Sequence, residues 1–144
     1  MRIGIDIMGG DFAPGSTIRG AILARESLPV DVEIVFIGNK DKISRYSDEH
    51  QLEVSGFSIV DTPESVGMED HPLKAFKEKP KAGLFTGQRL LMDGSLDGFC
   101  SAGNTGAMMV GAMQIIPSIP GIIRPAIAAT IPNVEGSHSV LLDV

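Results

Sequence analysis

Tryptophan is absent from these 144 residues, and tyrosine and cysteine occur once each. A single thiol, Cys100, excludes an intrachain disulfide and a cysteine-based zinc cluster, and it fits a reducing compartment. The three histidines, His50, His71 and His138, show no metal-ligand spacing. No stretch nears the roughly 18 apolar residues of a membrane span. The opening run Met1–Met8 carries Asp6 inside it and no cleavage site, so it reads as a strand rather than a signal peptide. Lys and Arg number 12 against 18 Asp and Glu, a net charge of −6, and no basic stripe with interleaved aromatics occurs, which argues against nucleic acid as a partner. No Ser-His-Asp order and no Walker loop can be assembled. These features describe a cytoplasmic protein.

What is present is a globular chain, 43% hydrophobic and 21% charged. Arg2–Met8 reads as a central parallel strand. Gly9-Gly10-Asp11-Phe12-Ala13-Pro14 forms a turn, and Ser16 or Thr17 opens a helix with Ile18, Ala21, Ile22 and Leu28 on its apolar face. Glu33–Ile37 is a second strand, Asn39 caps a short helix through Tyr46, and Phe57–Val60 is a third strand. A helix from Ala82 or Gly83 to Met92 ends at a Gly94 C-cap, before a buried strand at Leu96–Cys100. A helix follows over Thr105–Ile116, then strands over Ala126–Ile131 and His138–Val144. This alternation predicts an α/β fold, a doubly wound and mostly parallel sheet whose ligands bind at the carboxyl ends of strands. The chain stops inside its last strand, so the expectation is the front part of a longer protein.

Two glycine turns lie at that edge. In Ser101-Ala102-Gly103-Asn104-Thr105-Gly106-Ala107 a strand passes through small residues into a helix. The first turn of a helix has unpaired N–H groups and a partial positive charge, which together hold an anion without a cationic side chain. Gly103 and Gly106 admit close approach, and Ser101, Asn104 and Thr105 supply polar groups. The same residues also suit a plain capped turn, with Asn104 or Thr105 as the cap. Asp11 fits either a helix-entry acid or a catalytic one, Asp6 can face a polar site, and Cys100 reads as a buried structural thiol. Arg124 can pair with a carboxylate or reach a phosphate.

Asp61–Lys81 is the longest loop-like region, with four lysines in its last eight positions. They form either a solvated helix face or a basic contact surface.

Four stretches taken together resemble the bacterial phosphate acyltransferase family. These are Met8–Pro14; Asp70–Lys79 with Pro72, Lys74-Ala75 and Lys79 in pattern; Ser101–Ala107; and Gly121–Ala126 with Leu141-Leu142-Asp143-Val144. The resemblance implies a three-layer α/β/α architecture similar to phosphotransacetylases and isocitrate and isopropylmalate dehydrogenases. It implies that the chain is the N-terminal portion of one enzyme, without a cofactor. That enzyme makes acyl phosphate from acyl-acyl carrier protein and inorganic phosphate for phospholipid synthesis. A homodimer, peripheral contact with the inner face of the membrane, and glycerol-3-phosphate acyltransferase as a neighbour are also implied.

Under that reading phosphate or the reaction's oxyanion is held by Ser101, Gly103, Asn104, Thr105 and Gly106, with Gly9, Gly10 and Asp11 in the facing turn. Lys74, Lys79 and Arg124 supply positive charge to phosphate or to the carrier protein. Members usually carry Ser-Ser where this chain has Ala82-Gly83. An acyl-coenzyme A-dependent, phosphotransacetylase-like enzyme is the alternative, and a non-catalytic lipid-linked regulatory domain is a third reading.

Overall fold

Glu33–Gly38 (β2) shows how the layers form. Ile34 and Phe36 point to one face, Val35 and Ile37 to the other, and all four are at most 3% exposed. A strand apolar on both faces needs cover on both sides. The computed structural model describes residues 1–123 and 125–142. In it β2 lies between Arg2–Asp6 (β1) and Ser58–Asp61 (β3), and Gly98–Cys100 (β4) pairs with the far edge of β1. All three pairings are parallel.

Helices Gly15–Ser27 (α1) and Lys40–Glu49 (α2) cover one face, where Ile18, Ala21 and Ile43 pack on Ile7, Ile34 and Phe36. Gly83–Met92 (α4) covers the other, with Leu90 against Val35, Ile37 and Leu96. Pro72–Glu78 (α3) and Thr105–Ile115 (α5) pack beside α4 through Ala75, Phe85 and Ala107. The expected α/β sheet with helices on both faces is therefore present. Among the described residues no helix is long and apolar enough to cross a membrane.

Three expectations change. The stretch Asp61–Lys81 is not all loop, because Pro72 opens α3 at a position where its missing N–H costs nothing. Cys100 is exposed rather than buried, since β4 ends there at the rim of the sheet. The last two strands, Ala128–Pro132 (β5) and His138–Leu142 (β6), do not join the parallel sheet; they pair antiparallel in a separate hairpin whose residues are mostly exposed. Asp143 and Val144, expected in the last strand, lie outside the described residues.

Candidate functional site

From β1 the chain steps to β2 and β3 on one side, then returns to place β4 on the other side of β1. The reversal between β1 and β4 is the topological switch point, where an open parallel sheet leaves a crevice beyond its strand ends. Both glycine turns expected to bind ligand follow these two strands. Gly10 has φ +106°, a conformation glycine adopts without penalty. A β-carbon on Gly10 would also lie 3.3 Å from the Ala102 carbonyl oxygen, so the turns are in contact.

Asp6, the last residue of β1, lies between them and is 4% exposed. Its Oδ2 accepts a hydrogen bond from Ser101 Oγ at 2.8 Å, and its Oδ1 accepts from the Met8 N–H at 3.2 Å. Ser101 Oγ in turn accepts from the Gly103 N–H at 3.0 Å. Burial pushes the Asp6 carboxyl above the usual carboxylate range, against the opposing pull of the Ser101 hydroxyl and the Met8 and Gly9 amides.

Asn104 caps α5, its Oδ1 accepting from the Ala107 N–H at 2.9 Å. Its Nδ2 donates to the carbonyls of Met68 and Asp70 at 3.0 Å each and of Gly67 at 3.3 Å. This side chain is committed to the cap and to the 67–70 loop. At the start of α5 the Thr105 and Gly106 N–H groups have no protein partner among the described residues, and both residues are exposed. The open donors of the turn are therefore these two, with Ser101, Gly103 and Asn104 shaping it from behind. Gly106 also admits α3, since a β-carbon there would come within 2.7 Å of Pro72 Cγ.

The lysines divide. Lys79 Nζ donates to Asp70 Oδ2 at 2.5 Å, while the Gly67 N–H reaches the same oxygen at 2.8 Å. Together they hold Asp70 below the usual carboxylate range, Lys79 contributing most. Lys74 is exposed, its nearest acid being Glu78 at 3.9 Å. Asp11 is exposed and caps no helix, because α1 begins only at Gly15 with Pro14 as its N-cap. The helix-entry reading of Asp11 therefore fails. Arg124 lies outside the described residues. Among the described residues no three His, Cys, Asp or Glu side chains converge as a metal ion requires.

Asp6 is the buried polar residue between the two turns that the sequence marks only weakly. Its signal was an acid in an apolar central strand, which implies either a costly burial or a purpose.

A family model described as "Fatty acid synthesis protein" matches residues 1–144. Phosphate acyltransferase from Thermoanaerobacterium thermosaccharolyticum is 39% identical over 143 residues, covering 99% of this chain and 41% of that protein. Phosphate acyltransferase from Thermosynechococcus vestitus is 42% identical over 144 residues, again covering 99% of this chain and 41% of that protein. The chain thus spans about two fifths of the length of these curated relatives, and the resemblance carried by the four motifs is met. Among solved structures, EutD phosphotransacetylase from Staphylococcus aureus superposes on 97% of this chain and 44% of its own, with a TM-score of 0.59. At 19% identity that likeness shows the fold alone.

Proposed function

Because this chain belongs to the fatty acid synthesis protein family, we propose that it forms the N-terminal, phosphate-holding portion of an enzyme that makes acyl phosphate. The acyl donor is acyl-acyl carrier protein and the acceptor is inorganic phosphate. The observation that carries this reading is the meeting of two glycine turns at the β1/β4 switch point, with the Thr105 and Gly106 N–H groups open.

A phosphate oxygen attacks the thioester carbonyl carbon, the carbon–sulfur bond breaks, and the carrier thiol leaves with a proton. Phosphate is itself the nucleophile, so no covalent serine or cysteine intermediate is needed, and exposed Cys100 is not required. The barrier falls when phosphate is held beside the carbonyl and donors already face the developing oxyanion. Thr105 and Gly106 provide such donors, while Gly9 and Gly10 keep the facing turn close. In this reading exposed Lys74 on α3 supplies positive charge to an acidic carrier protein, whereas Lys79 serves through Asp70 by closing the 67–70 loop. The homodimer, the cytoplasmic location with peripheral membrane contact, and the glycerol-3-phosphate acyltransferase neighbour belong to the same proposal.

The test is acyl-phosphate formation, measured for the 144-residue chain and for the product of its full reading frame, with acyl-acyl carrier protein and acyl-coenzyme A as rival donors. Turnover with the carrier-protein donor supports the proposal. Turnover with coenzyme A alone would move the reading to a phosphotransacetylase-like enzyme. Carrier or lipid binding without turnover in either form would leave a non-catalytic domain.

A further inference from the structure

The carboxyl group of Asp6 is enclosed by three glycines from three separate elements. A β-carbon on Gly9 would stand 2.7 Å from both Asp6 Oδ2 and Ser101 Oγ. One on Gly103 would stand 3.1 Å from Ser101 Oγ, and one on Gly83 would stand 3.1 Å from Asp6 Oδ1. Packing this close brings backbone up against the carboxyl group, and among the described residues Asp6 has no counter-ion side chain. Thr62 Oγ1 lies 3.3 Å from the same β-carbon position; Thr62 is 2% exposed and its hydroxyl has no partner among the described residues.

Burying a carboxylate without a cation costs far more than pinning a turn with a neutral side chain. Asp6 nevertheless commits the Ser101 proton, and Ser101 then commits the Gly103 N–H. We propose that Asp6 is a positioning residue of the anion site, acting through Ser101 to hold the β4–α5 turn so that the Thr105 and Gly106 N–H groups stay free for an anion. This rests on the anion-binding reading above.

Charge supplies a signature that a purely structural residue lacks. The ionised carboxylate is the stronger acceptor for the Ser101 hydroxyl, and its upward-shifted pKa lets proton uptake loosen that hold as pH falls. The groups packed against the carboxyl are uncharged: Met8 and Gly9 in the first turn, Gly83 of α4, and Ser101 and Gly103 in the second. Titratable neighbours on the same elements are turned to other partners or exposed. Asp61 accepts from the Lys40 N–H, Glu64 accepts from the Lys81 N–H, and Asp11, Lys81, Cys100 and His71 are exposed.

The experiment is calorimetric binding of sulfate, which keeps its charge between about pH 5 and pH 8, with amide hydrogen exchange on the same samples. Wild type, Asp6→Asn, Ser101→Ala and the double variant are compared. Each single variant should weaken sulfate about tenfold, a change of about 1.4 kcal/mol, and the double variant no further, because the two residues act as one unit. Exchange at the Gly103 amide should rise in all three variants. Sulfate binding by wild type should weaken as pH falls and Asp6 takes up its proton, and Asp6→Asn should remove that trend.

A trend that survives Asp6→Asn belongs to another group and overturns the proposal. So do single losses that multiply in the double variant. Ser101→Ala, which removes one hydroxyl at a half-buried residue, carries the test if Asp6→Asn fails to fold. Wild type that binds neither sulfate nor phosphate would overturn the anion reading itself. Binding that is indifferent to both substitutions would overturn only the role of Asp6.

Discussion

In β2 every residue from Ile34 to Gly38 is buried, whereas in β6 every residue from His138 to Leu142 is exposed. Both strands are rich in branched apolar side chains. The difference lies in their neighbours: β2 has helices over both faces and a strand at each edge, while β6 has one partner strand. An apolar strand contributes stability only in proportion to the surface its surroundings remove from water. The candidate site follows the same division, since both glycine turns rise from strands of the covered sheet.

The sharpest way to break this comparison is to truncate one residue on each side. Phe36 is fully buried and stacks on Phe57 with ring centroids 4.3 Å apart. Phe36→Ala should cost about 3–5 kcal/mol in urea unfolding. Leu141→Ala, on the exposed hairpin, should stay within about 0.5 kcal/mol. Equal losses would mean that the hairpin is covered in solution.

A smaller effect is expected at the clamp between the start of α5 and the 67–70 loop. Asn104→Ala deletes the α5 cap and three contacts to the 67–70 loop, for an expected cost of about 1–2 kcal/mol. Hydrogen exchange should quicken at Ala107 and Asp70 well before it does in β2. Uniform quickening would assign Asn104 to the global core instead.

The smallest effect separates two aspartates shifted in opposite directions. Asp70 is held low by Lys79, so its contribution is complete above its unfolded-state pKa and is lost as pH falls through its lowered folded-state value. Lys79→Met should shrink that acid loss, leaving the part due to the Gly67 N–H, and, for a pair more than a third exposed on one side, cost at most about 1 kcal/mol at neutral pH. Asp6 is shifted upward by burial, so the folded state takes up its proton first, and its penalty is relieved as pH falls through the raised value. Carboxyl NMR titration resolves the two. Parallel shifts of Asp6 and Asp70 would contradict the difference in their surroundings.

Much of the covered sheet was legible in the sequence. Strand two was expected at Glu33–Ile37 and found at Glu33–Gly38, and α5 was expected at Thr105–Ile116 and found at Thr105–Ile115. Asn39 and Asn104 cap helices as their side-chain oxygens predict, and Gly94 takes φ +79° at the end of α4. Such features are local, decided by hydrogen bonds within three or four residues. α3 was harder to see because it has only seven residues, too few to show a helical period.

By itself, then, the sequence determined the alternation of strands and helices, the caps and the two glycine turns, because each depends on near neighbours along the chain. Tertiary structure decided that β5 and β6 stand apart from the parallel sheet, since two strands of similar composition differ only in what packs on them. It also decided what the polar residues do. Asp6 meets Ser101 across 95 positions of chain, and Asn104 spends its amide on a loop 34 to 37 positions away. No local pattern reports such distances, because a hydrogen bond between remote residues exists only after the sheet has brought its strand ends to one edge.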